Sequence, residues 1–201
     1  MKKTIFASCV IIAVALAISF SRGTTAVNAP PQDTLGTPDT TLAVALSLED
    51  MVSQSDVIAI GSCTDIRSVW VDGTLVTLAT VAVSETLKGA EAGTLTVVLP
   101  GGADANRKFP VAVSYPGAPR LVPGENAFLF LAADSQVGGG YAVAGFAQGK
   151  FSIVNDDSGE PVVTRDLTKV SLQGNNGARR GGANATALSS FKAQVKGLLN
   201  K

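Results

Sequence analysis

Residues 57–87 read VIAIGSCTDIRSVWVDGTLVTLATVAVSETL, two β-forming runs hinged on Asp72-Gly73. Both hinge residues tolerate the positive φ that a two-residue hairpin turn demands. The stretch therefore predicts a long hairpin, Val57 to Val71 returning as Thr74 to Leu87, with Gly61 placed for a bulge or sharp coil. The returning run carries apolar or threonine side chains on both faces, the pattern of a strand curled into a closed sheet.

Outward from the hairpin the same logic continues. Lys88-Gly89 ends the second run, and Thr94 to Leu99 makes a third strand with Leu95, Val97 and Leu99 on one face. Pro100-Gly101-Gly102 opens an irregular, proline-punctuated excursion that lasts to Pro123. It feeds Ala127 to Leu131, the run expected to be most buried. Further strands are read at Tyr141 to Gln148, Phe151 to Val154 and Pro161 to Thr164. Before the hairpin, Ser47 followed by Asp50 can cap a short helix that buries Leu48, Met51 and Val52 and ends near Ser55. Leu188, Phe191, Val195, Leu198 and Leu199 recur with helical spacing at the other end.

At the N-terminus, Lys2 and Lys3 precede an apolar run from Ile5 to Phe20 and then small residues, the layout of a secretory signal peptide cleaved after Ala26 or Ala29. The expected organisation is a signal peptide at 1–26 and a flexible leader at 27–46. A β-barrel domain at 47–172, a glycine-rich tether at 173–186 and an amphipathic helix at 187–201 follow. The expected location is secreted or periplasmic, without a stable membrane anchor. The fold class is mainly β, a small OB-like closed β-barrel of five to seven strands with one or two packed helices.

Removing residues 1–26 takes Lys2, Lys3 and Arg22, leaving 13 basic residues against 16 acidic and a formal charge of −3. That balance argues against nucleic acid as a partner. Only Cys63 remains after cleavage, so no intramolecular disulfide is expected, and a buried, inert thiol is the favoured reading. The chain has no histidine, which removes every His-dependent triad and the commonest zinc ligand. No Ser-x-x-Lys spacing replaces it. Asp156-Asp157, followed by Ser158-Gly159, reads as a turn rather than a metal site. Neither cofactor, metal nor catalytic residue is expected.

Ser55-Asp56-Val57-Ile58-Ala59-Ile60-Gly61, Leu87-Lys88-Gly89, the stretch from Pro116 to Leu131, and Phe146-Ala147-Gln148-Gly149-Lys150-Phe151 occur in that order. Together these segments resemble a group of small exported bacterial proteins of unknown function, over about residues 46–164. The first half is also similar to the netrin-type module of metalloproteinase inhibitors, which implies a five-stranded OB-type barrel. Those inhibitors chelate zinc through an N-terminal cysteine. Cys63 is internal, so that mechanism is not carried over.

The expected role is therefore non-catalytic binding of an exported protein partner, a secreted protease such as a metalloprotease among them. The candidate surface is the Pro100 to Pro123 excursion with the hairpin tip, and its residues are Trp70, Asp72, Tyr115, Arg120 and Tyr141. The alternative is a module for oligosaccharide or cell-wall ligands, which needs Trp70, Tyr115 and Tyr141 in one exposed groove. A His-free hydrolase is the third reading and requires a Ser, Lys or carboxylate cluster in a pocket.

Overall fold

A computed structural model describes residues 40–174 and 177–201. The expected signal peptide and residues 27–39 of the expected leader lie outside the described residues. In chain order the elements are β1 (Thr41–Val44), α1 (Leu48–Gln54), β2 (Val57–Val71), β3 (Thr74–Lys88) and β4 (Thr94–Pro100). Next come β5 (Gly102–Asp104), β6 (Val111–Val113), β7 (Asn126–Ala133), β8 (Gly140–Val143) and β9 (Lys150–Asn155). β10 (Pro161–Asp166), β11 (Val170–Gly174), β12 (Gly177–Arg180), β13 (Ala183–Ala187) and α2 (Leu188–Leu199) complete the fold.

The predicted hairpin is present, and it is long. Asp72 and Gly73 take φ values of 46° and 78°, so the turn closes with Val71 opposite Thr74. Three register shifts, at Ile58/Ala59, Ile60/Gly61 and Cys63/Asp65, coil the ribbon. A Cβ at position 61 would lie 2.4 Å from the Ala82 carbonyl oxygen, so only glycine allows the strands to approach there.

Coiling lets the hairpin join a closed ring. β7 pairs with β2, β2 with β3, β3 with β4, β4 with β8, and β8 returns to β7; all contacts are antiparallel except β4–β8. Alternation along each strand sends one set of side chains inward. Ala59, Cys63, Ala79, Val81, Val97, Leu129 and Leu131 fill the inside, and Leu121 from the excursion plugs it. Beyond the ring, β9, β10 and β13 extend the sheet from β7.

The opposite faces of the same strands make a second layer. Ile58, Ile60, Phe128, Phe130 and Phe151 pack under Met51 and Val52 of α1 and Phe191 and Val195 of α2. Phe191 is the centre of this layer, with ring centroids 5.0 Å from Phe128 and 4.7 Å from Phe151. The Ser47–Asp50 capping box of α1 forms as read from the sequence, and Ser55 is its C-cap. Lys192 and Lys196 of α2 both reach the Glu85 carboxylate on β3.

Three expectations are corrected. The described residues of the expected tether, 173–174 and 177–186, lie largely in paired strands: β12 pairs with β11, and β13 pairs with β10 from Val162 to Asp166. Ladder bonds come from the main chain, so a glycine- and asparagine-rich composition gives no sign of them. The described end of the leader is ordered too, because β1 lies parallel to β11 over Thr41 to Val44. The strand expected over Tyr141 to Gln148 stops at Val143. A corner follows, clamped by buried Gln148, whose amide donates to Val44 and Gly145 and accepts from Leu46.

Replacing Phe191 by alanine removes the aromatic centre of the helix layer. Urea denaturation should show a loss of about 3–5 kcal/mol; a loss below about 1 kcal/mol would mean that α2 is not integral to the core. Glu85 has its pKa lowered chiefly by the Lys192 hydrogen bond, with Lys196 adding to it. A depressed carboxylate stabilises above its unfolded pKa and stops doing so as pH falls through the folded value. Wild type should therefore exceed Glu85→Gln in stability at neutral pH, and the difference should vanish in acid below the usual carboxylate range. A pH-independent difference would assign the effect to something other than this ion pair.

Candidate functional site

After Pro100 the chain leaves the ring and doubles back as a ribbon, β5 against β6. Two side-chain hydroxyls of the hairpin hold it. Ser68 Oγ accepts from the Ala103 amide at 3.0 Å, and Thr77 Oγ1 donates to the Gly101 carbonyl at 2.9 Å. Farther out, Trp70 Nε1 donates to Asp104 Oδ2 at 2.8 Å, while the Arg107 guanidinium lies 4.2 Å above the indole ring. The indole bond and the Asn106 amide hold the Asp104 carboxyl below the usual range. Trp70 thus props the ribbon against the hairpin and carries Arg107 on one face of its ring, while it stays part exposed.

The second limb of the excursion is anchored at the opposite end. Thr41 Oγ1 donates to the Pro116 carbonyl at 2.7 Å, and the Ala118 amide closes a tight turn onto Tyr115. Buried Pro119 and Leu121 then carry the chain back over the ring. Between the two limbs and the hairpin lies a cavity of about 450 Å³, lined largely by apolar groups together with Arg67, Ser68, Thr77, Tyr115 and Arg120. Ile66, Tyr115 and Val122 stand at its walls with 40%, 44% and 56% of their surface exposed. Three of the large exposed apolar side chains thus meet at one place.

The five residues singled out from the sequence separate into groups. Tyr115 and Arg120 line the cavity together. Trp70 lies outside it, engaged with Asp104 and Arg107. Asp72 occupies the positive-φ turn position, where its conformation serves the hairpin. Tyr141 sits on β8 opposite Val97, half-buried against the inner cluster of the ring. The three aromatic residues do not share a groove.

Sequence reading missed a polar constellation next door. Lys150 and Ser152 alternate onto one face of β9 and meet Glu125, which stands just before β7. Lys150 Nζ donates to both Glu125 and Ser152, and Ser152 Oγ lies 2.7 Å from Glu125 Oε1. The Ser152 hydroxyl in turn donates to Glu125, so the carboxylate accepts from both. The only sequence signal was the period-two spacing of Lys150 and Ser152. Arg165, half-buried on β10, stacks 4.7 Å over Phe151 and donates to the Gln148 carbonyl at 2.8 Å.

Elsewhere the chemistry is structural. Asp156 Oδ1 accepts from the Ser158 amide and hydroxyl and the Glu160 amide, and the Ser158 hydroxyl leads the causes that depress its pKa. Cys63 is buried inside the ring, and desolvation raises its thiol pKa, which keeps it protonated. No group of three or more metal-ligating side chains occurs among the described residues, and no helix there is long and apolar enough to cross a membrane. Comparison with protein-family models, curated proteins and solved structures gives no match.

Asp104→Ala should free both Trp70 and Arg107. Indole emission should shift to the red and proteolysis within residues 104–110 should quicken, while the urea midpoint should change little because the cluster lies on the surface. Unchanged emission would show that Trp70 is held by other contacts.

Proposed function

We propose that this chain is an exported, non-catalytic binding domain whose ring is an OB-like barrel and whose cavity takes an extended segment of an exported protein partner. The barrel reading is supported by five strands closing in a non-sequential, Greek-key manner, with β4 beside β8 and β2 beside β7. Secretion rests on the charged and apolar layout of residues 1–26.

The observation that carries the binding role is the cavity under the excursion. An apolar, partly open site of this size, with few polar groups around it, suits an apolar side chain held in a defined orientation. Among the described residues, β6 pairs with no strand other than β5, which leaves an edge beside the cavity for main-chain pairing. Short loops tied at Ser68, Thr77 and Thr41 lower the ordering cost of docking. A secreted protease, a metalloprotease included, is one partner of this kind. Contact by zinc chelation has no support, because Cys63 lies inside the ring.

The saccharide alternative gains nothing from the geometry, since Tyr115 alone of Trp70, Tyr115 and Tyr141 lines the cavity. The hydrolase reading rests on Ser152 beside Lys150, and the donation from Lys150 to Ser152 and Glu125 argues against proton abstraction there.

Affinity capture from the host's secreted fraction, run with wild type and with Tyr115→Ala and Val122→Asp, tests the reading. A specific partner should be retained by wild type and reduced about tenfold or more by each variant, as expected for anchors at the centre of an interface. A partner bound equally by all three proteins would move the interface elsewhere. Turnover of any substrate lost on replacing Ser152 would overturn the non-catalytic role.

A further inference from the structure

Strand β2 outruns the strand on one of its edges. β3 pairs with it from Ile58 to Val71, but β7 covers the other edge only from Val57 to Ser62. Cys63 adds one step, its amide donating to the Glu125 carbonyl and its carbonyl accepting from the Gly124 amide. From Thr64 to Val71 that edge has no main-chain partner among the described residues. β5 is held across this stretch by the Ser68 and Trp70 side chains and takes no part in a ladder with it.

The apolar cavity lies against the open edge. A recess on the face of a strand meets alternate residues, because successive side chains point to opposite faces. The cavity of about 450 Å³ instead meets Ile66, Arg67 and Ser68 in succession. Ala112, Val113 and Ser114, at and just beyond the end of β6, border the same space.

The side chains along the edge are ordered as well. Asp65 and Arg67 share one face of β2, both are exposed, and neither is in an ion pair among the described residues. Ile66, 40% exposed, points the other way, to the side on which Ser68 holds β5. Residues directly opposite on paired strands attract when their charges are unlike and repel when they are alike. An antiparallel segment therefore meets β2 best with an acid opposite Arg67, an apolar residue opposite Ile66 and a base opposite Asp65, in that order from its N-terminal end.

We propose that the edge of β2 from Thr64 to Val71 receives an extended segment of the exported partner by antiparallel strand addition, and that this segment carries an acidic, an apolar and a basic residue in succession, the middle one entering the cavity. The proposal names the ligand of the cavity and rests on the reading of that cavity as a peptide site. Asp65-Ile66-Arg67 has the same order, which raises a second copy of the chain as occupant. The register excludes it. With the Ile66 residues of two copies opposed, Val69 and Trp70 of one would fall opposite Cys63 and Ser62 of the other, where Glu125 and Asn126 already stand. For the same reason the incoming segment ends or turns away after the residue opposite Thr64.

Two blocked heptapeptides test this, acetyl-Thr-Thr-Glu-Leu-Lys-Thr-Thr-amide and the isomer with Glu and Lys exchanged. Each is titrated into the full chain at pH 7 and low ionic strength, where charge pairing is least screened, and amide shifts are followed by NMR. The first should give saturable shifts over residues 64–71 and 112–115 and bind about fivefold or more tightly than its isomer. The double variant Asp65→Arg with Arg67→Asp should invert that preference, which a loss of stability could not do. Arg67→Asp alone should abolish it. Equal affinity of wild type for the two peptides, with shifts confined to residues 112–122, would overturn strand addition on β2 and leave the cavity as a peptide site. The absence of saturable shifts with either peptide would overturn the inference whatever partner the capture experiment retains. A dimer in sedimentation equilibrium that Arg67→Asp dissociates would give the edge to a second copy and overturn it too.

Discussion

Strand β7 is the constraint on which the rest of the molecule depends. Ala127 to Leu131 are each at most 1% exposed, and neither face of the strand meets water. Ala127, Leu129 and Leu131 point into the ring, while Phe128 and Phe130 point out under the helices. One edge of β7 is covered by β2. The other is shared: Asn126 to Leu129 pair with β9, and Leu131 to Ala133 pair with β8. At the division, Phe130 donates to the Gly149 carbonyl and accepts from the Ala144 amide. This corner both closes the ring and launches the outer sheet. Full burial of a phenylalanine contributes about 1.5–3 kcal/mol relative to exposure, so the outward pair alone rewards the docking of α1 and α2.

From that scaffold the candidate sites follow by position. The excursion leaves the ring at Pro100 and re-enters at Leu121, whose side chain occupies the inner core. Its two limbs are therefore fixed at both ends, and the space between them and the hairpin persists as a cavity. On the far side of residues 118–120, the start of β9 and the end of β10 line a second cleft. An apolar recess and a more polar recess thus share a thin wall carrying Arg120.

Much of the scaffold could be read from residue order. The Asp72-Gly73 turn, the bulge at Gly61, the capping box at Ser47 and the burial of residues 127–131 each follow from local chemistry and are present. What escaped reading depends on distant partners. β12 and β13 form because β11 and β10 offer open edges, not because Gly177 to Arg180 or Ala183 to Ala187 favour strands. Tyr141 is a candidate binding aromatic by sequence, and only the pairing of β8 with β4 shows it beside Val97, packed against the ring interior. Glu125, Lys150 and Arg165 are far apart in sequence, and only the β7–β9–β10 order assembles them.

The most direct test of this account is native-state amide hydrogen exchange at the corner where β7 changes partners. The amides of Phe130 and Ala144 should exchange only through global unfolding, with the same free energy as the protected amides of β2 and β3. Exchange of Ala144 or Phe130 by a local opening, while the hairpin stays protected, would contradict it, because the ring would then close without this junction.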